Sequence, residues 1–110
     1  MRIRTVRDAM LLPALAFAAL SFPQAVSAAA DRELGAYLSG ECSGCHIVRG
    51  PQPAGIPAIS GWPEEQFVAV MESYRSNQRE DPLMRAIASR LGPDEFAALA
   101  AYYRSLGPRP

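Results

Sequence analysis

Cys42-Ser43-Gly44-Cys45-His46 places two thiols three residues apart, with the chain's one imidazole directly after the second. On a helical turn, residues at that spacing share a face, so both thiols can reach the two vinyl groups along one edge of a porphyrin. The imidazole that follows is then offered to the iron from the same side. Ser43 and Gly44 are small enough to let a macrocycle approach the backbone. This C-x-x-C-H run is the attachment signature of covalent haem. Cys42 and Cys45 are the expected thioether positions, and His46 the expected axial ligand. Other chemistries are served less well. One His and two Cys supply three zinc ligands, where a structural zinc site takes four. A catalytic dithiol expects strands and a βαβ pattern. A disulfide across so short a gap gains little entropy.

An iron held by one imidazole has a second face to fill. Met71, Met84 and an open position are the choices, because Met1 and Met10 belong to the N-terminal segment. Met71 shares an apolar stripe with Phe67 and Tyr74, where a core methionine fits. Met84 stands just after Asp81-Pro82-Leu83, at a loop-to-helix junction from which a thioether can face the metal. Met84 is therefore the preferred ligand, with Met71 and the open site as alternatives. Methionine and histidine together raise the iron potential and leave no vacant position for oxygen, which favours electron transfer over catalysis.

The elements that must carry these groups read as helices. Leu34, Leu38 and Cys42 are spaced by four along a helix over 31–41. Residues 49–57 are too rich in Pro and Gly for regular structure. Pro63-Glu64-Glu65 opens a second helix, with carboxylates at its positive end and Phe67, Val70, Met71 and Tyr74 on one face. Asp81 caps a third at Pro82, with Leu83, Ile87 and Leu91 as its stripe. Gly92-Pro93 separates a fourth, carrying Phe96, Leu99, Tyr103 and Leu106, and Gly107-Pro108 ends it. No stretch alternates like a strand. The expected fold is all-α, about four short helices around one haem.

Residues 1–28 have the order of a secretory signal: Arg2, Arg4 and Arg7, then an apolar run, then Val26-Ser27-Ala28-Ala29-Ala30. The run from Met10 to Phe22 falls short of the ~20 residues a spanning helix needs, and Pro13 interrupts it. Cleavage after Ala28, or as late as Ala30, would leave residues 29–110 as one exported, periplasmic domain, with membrane attachment only if the signal is retained. Such a small domain usually needs a staple, and a covalent haem would serve. The whole chain has no net charge. Removing Arg2, Arg4, Arg7 and Asp8 leaves 8 Arg against 10 Asp and Glu, a net of −2. With no Lys and no basic run, nucleic-acid binding is disfavoured.

The sequence resembles the class I cytochromes c, and within them the short monohaem subunit of flavocytochrome c sulfide dehydrogenase. The likeness runs from Leu34 to Leu106. It rests on the Cys42–His46 motif, on Gly55-Ile56-Pro57-Ala58-Ile59-Ser60-Gly61, on Phe67-Val68-Ala69-Val70-Met71-Glu72-Ser73-Tyr74, on Met84–Leu91, and on Phe96–Tyr103. It implies a bacterial one-electron carrier, not itself an enzyme, with one haem c ligated by His46 and Met84. It also implies that the Pro57 carbonyl orients the His46 ring, and that Gly35 packs against Tyr102 or Tyr103 where the terminal helices cross. A flavoprotein dehydrogenase subunit is the implied electron donor, and a freely diffusing cytochrome serving other redox partners is the alternative. Many relatives have Gly after the ligating His, whereas this chain has Ile47 and Val48. Those two side chains either cover the haem or belong to a partner interface.

Overall fold

Apolar residues recurring every three to four positions become four α-helices among the described residues of the computed structural model. It describes residues 24–108 together with residues 13, 14 and 18. The signal expected over residues 1–28 falls mostly outside the described residues. Helix α1 spans Gln24–Leu38 and tightens into a 3-10 turn over Ser39–Glu41. It begins upstream of the predicted Asp31, through a stretch containing Ala28, Ala29 and Ala30, the strongest helix former in succession. Helices α2 (Glu64–Arg75), α3 (Pro82–Ser89) and α4 (Pro93–Ser105) follow. Among the described residues there is no strand, and no helix is long and apolar enough to cross a membrane.

Helix starts follow the local chemistry. The Asp81 carboxylate accepts the Met84 backbone N–H at 2.9 Å, filling one of the donors a helix start leaves open. Glu95 reaches back to the Gly92 N–H at 2.7 Å, doing the same for α4. Pro82 and Pro93 occupy first-turn positions, where a missing N–H costs nothing.

Helix α4 is the hub, packed against both α1 and α2, while α3 lies on α2. Phe96, Leu99 and Tyr103 are its largest fully buried side chains. Each contributes roughly 1.5–3 kcal/mol relative to exposure. The crossing with α1 is close at Gly35, where a Cβ would lie 2.0 Å from the Ala98 carbonyl oxygen and 2.7 Å from Tyr102 Cβ. Of the two tyrosines predicted against Gly35, Tyr102 makes the contact. Three predicted stripe residues lie elsewhere, the first being Leu34, which is exposed on α1. Leu83 is 59% exposed and Leu106 is 39% exposed, so Ala88, at 0%, is the buried anchor of α3. Leu83 lines the cleft that Cys42 and His46 also line, and Leu106 is the residue that ends α4.

Candidate haem site

The motif is a continuation of α1 by other means. Ser43 N–H bonds to Ser39 O at 3.0 Å, Cys45 N–H to Cys42 O at 3.2 Å, and His46 N–H to Cys42 O at 2.8 Å. These bonds wind residues 42–46 into one more helical turn. Cys42, Cys45 and His46 consequently line the same cleft. The two thiols are free, Cys42 buried and Cys45 exposed. Their spacing on this turn is what two thioether links to one porphyrin edge require.

Beyond the motif the chain doubles back and fixes the imidazole. His46 Nδ1 lies 2.8 Å from the Pro57 carbonyl oxygen. A carbonyl accepts only, so Nδ1 carries the proton and Nε2 is left with its lone pair for a metal. The loop that brings Pro57 there is held by Gln52, whose side-chain amide both accepts from Ile47 N–H, at 3.2 Å, and donates to Ile47 O. Gly61, at φ +75°, anchors the other end: its N–H bonds to Tyr103 O at 2.8 Å, and Arg104 donates to its carbonyl at 3.0 Å. A side chain at Gly61 would collide with the Pro108 backbone at 2.5 Å, in a backbone region that already favours glycine. Val48 packs against the core, whereas Ile47 is half-buried.

Two methionines line the same cleft. Met71 is 5% exposed on α2, and Met84 is partly buried on the first turn of α3; both line the cleft. Met84 is held by more than its own helix. Arg85 donates to Arg79 O at 2.6 Å and to Asn77 O at 3.2 Å, bracing the α2–α3 connection. Asn77, at φ 60°, makes the left-handed turn there, a conformation Asn tolerates better than most residues. Arg79 lies over the Tyr74 ring at 5.3 Å and lines the cleft, offering a cation to an anionic ligand edge. Neither Gln52 nor Arg85 is marked by periodicity or motif. Their work is bonding to backbone across a loop, and only a loop-length argument could have raised them.

The cleft encloses about 1000 Å³ not filled by protein, part of it open to solvent, and Ile59, Trp62, Phe67 and Val70 give it apolar walls. Burial pushes the Cys42 thiol above its ordinary value, the Tyr103 hydroxyl opposes that shift, and the Glu41 carboxylate adds to it. Among the described residues no group of three or more His, Cys, Asp or Glu could hold a bare metal ion. The residues present, two thiols and one imidazole on a single turn, are donors for a metal carried inside an organic ring. Two free thiols on one turn, an imidazole oriented through Nδ1, two thioethers on the same cleft and apolar walls all fit haem c.

The described residues form an all-α frame of four helices, with the C-x-x-C-H turn and two methionines on one cleft. No protein-family profile matches the chain. The chain is similar to cytochrome c4 of Azotobacter vinelandii, with 32% identity over 71 residues. The match takes in 59% of this chain and 34% of that protein, so the chain spans about a third of the relative's length. This distant, partial likeness supports placement among the cytochromes c, and covalent haem c is the cofactor it implies for the Cys42–Cys45 pair.

Proposed function

We propose that the chain is an exported, periplasmic one-electron carrier, with haem c attached through Cys42 and Cys45 and ligated by His46 and Met84. The observation that carries this reading is the convergence of all four residues on one apolar cleft, with His46 already oriented by Pro57. Haem c bound there would supply reversible one-electron exchange. The chain's own residues supply the rest. Pro57 holds the Nδ1 proton and so fixes ring tautomer and direction. Asp81 and Arg85 hold the turn that presents Met84. Ile59, Trp62 and Phe67 exclude water from the site, which favours the less charged state of the metal centre. Met84 is preferred over Met71 because it sits on a braced loop-to-helix junction, while Met71 is part of the core beneath Phe67 and Tyr103.

The proposed electron donor is a flavoprotein dehydrogenase subunit of the sulfide-oxidising kind. The resemblance of residues 34–106 to the short cytochrome subunit of such enzymes supports it. The decisive test is in two parts. Periplasmic protein, denatured and treated with pyridine under reducing conditions, should show a haemochrome that stays with the polypeptide. A colourless polypeptide of bare sequence mass would refute the electron-carrier reading. Tagged protein drawn from its native host should bring a flavin-containing subunit with it. Return of the haem protein alone would leave the carrier and remove the flavoprotein partner.

A further inference from the structure

Residues 47–62 lead from the C-x-x-C-H turn toward α2, and most hydrogen bonds of that loop stay inside it. Gln52 bonds to Ile47, Ile56 N–H to Pro53 O at 3.1 Å, and Trp62 N–H to Ile59 O at 3.4 Å. Among the described residues the loop hydrogen-bonds outside itself at Pro57 and at Gly61 alone. The Pro57 carbonyl accepts from His46 Nδ1 at 2.8 Å. Gly61 N–H bonds to Tyr103 O at 2.8 Å, and the Gly61 carbonyl accepts from Arg104 at 3.0 Å. Pro57 is exposed, so packing of its own does not fix where its carbonyl points. That direction depends on how the loop is held at Gly61, just past the buried Ile59.

Every tie on Gly61 comes from the last turn of α4 and the residues after it. Gly107, at φ +72°, turns the chain back. Gly107-Pro108 then lies over Gly61, where a Cβ would stand 2.5 Å from Pro108 N and 2.6 Å from the Gly107 carbonyl carbon. Arg104 is exposed and has no acidic partner among the described residues; the Gly61 carbonyl is what its guanidinium bonds. A hydrogen bond from a charged donor is among the stronger ones a side chain makes. We propose that Arg104, with the Gly107-Pro108 tail, forms a clasp on Gly61 that holds the Pro57 carbonyl on His46, making Arg104 a positioning residue for the histidine ligand. The inference rests on the haem c reading given above. A well-aimed acceptor on Nδ1 makes the imidazole more basic, and a more basic ligand favours ferric iron. The clasp therefore acts on the metal centre from outside the cleft, which neither Gly61, Arg104 nor Pro108 lines.

The test compares full-length wild type, Arg104→Met, Arg104→Lys, a chain ending at Leu106, and the control Ser105→Ala, whose hydroxyl bonds within α4. Each is matured as holoprotein, with covalent haem read as pyridine haemochrome. Solvent exchange of the His46 Nδ1 proton and the reduction potential are the two readouts. Arg104→Met should keep covalent haem, speed the exchange roughly 5-fold or more, and raise the potential; that factor is what one hydrogen bond is ordinarily worth. Arg104→Lys should recover part of both, the shortened chain should move both the same way, and Ser105→Ala should move neither. Lower stability in Arg104→Met with exchange and potential unmoved assigns the residue to surface structure and overturns the proposal. A falling potential also overturns it, because that is the direction of a lost methionine ligand. Wild type without covalent haem refutes the haem reading and the inference with it, whereas haem-bearing wild type with unmoved variants refutes the inference alone. Where Arg104→Met does not mature, Arg104→Lys and the shortened chain carry the same readouts, and unmoved values in both overturn the proposal.

Discussion

Gly35→Ala isolates the crossing of the terminal helices. At the centre of a helix the change should help, since alanine exceeds glycine in helix preference by about 1 kcal/mol. Here the new Cβ would lie 2.0 Å from the Ala98 carbonyl oxygen, 2.7 Å from its carbon and 2.7 Å from Tyr102 Cβ. Two of those atoms belong to the α4 backbone, so no side-chain rotation relieves the clash. Overpacking of a tight core costs roughly 1–3 kcal/mol, and a backbone collision belongs at the upper end. The net loss is then ~2 kcal/mol, after the helix gain is subtracted. A domain of about 80 residues holds only ~4–12 kcal/mol in total. In urea the holoprotein midpoint should fall by about 1 M or more, with the slope unchanged. Gly40→Ala is the control, since nothing lies within 4 Å of its would-be Cβ, and it should be close to neutral. A Gly35→Ala midpoint at or above wild type would refute the close crossing.

Other outcomes follow from the same contacts. Met84→Ala should retain covalent haem, lower the reduction potential and abolish the long-wavelength charge-transfer band of methionine-ligated ferric iron; an unchanged spectrum would transfer the role to Met71. Asp81→Ala removes the acceptor 2.9 Å from the Met84 N–H and should cost ~0.5–2 kcal/mol by denaturant midpoint, with Asp81→Asn recovering most of it. Burial, with the Cys42 thiol adding to it, holds the Tyr103 phenol above its usual 10.0. The unfolded chain therefore loses that proton first, and stability that is full below pH 10.0 declines as pH rises toward the folded value. Tyr103→Phe should flatten this alkaline decline, read as the slope of midpoint against pH; an unaltered slope would assign the decline to another group.

The helices were legible because their signals are local. Asp81-Pro82 and Gly92-Pro93 mark starts by capping and by proline's fixed φ, and both appear at the expected residues. The apolar stripes were legible in their centres and failed at their ends. Phe67, Met71, Phe96, Leu99 and Tyr103 are buried, whereas Leu34, Leu83 and Leu106 are exposed. A terminal residue has neighbours on one side only, so spacing alone does not decide its burial. The C-x-x-C-H chemistry was readable from spacing, since three residues on one turn must share a direction. What the sequence did not disclose were the braces. Gln52 on Ile47 and Arg85 on residues 77 and 79 join side chain to loop backbone. Such bonds leave no period and no motif.

These braces explain how one short helix can govern both sides of the cleft. The histidine side hangs from α1 through the turn at residues 42–46, and returns through Pro57 to Gly61, which is bonded to the Tyr103 carbonyl and the Arg104 guanidinium. The methionine side hangs from α3, which packs on α2, which in turn packs on α4. Helix α4 is thus the common reference for the two groups that must face each other. A change that tilts α4 against α1 at Gly35 alters the distance between His46 and Met84 even though it touches neither. Loss of stability and loss of ligand geometry should therefore arrive together in Gly35 variants. In Asp81 variants the change in ligand geometry should be confined to the methionine side, because that cap holds the turn that presents Met84 and touches nothing on the histidine side.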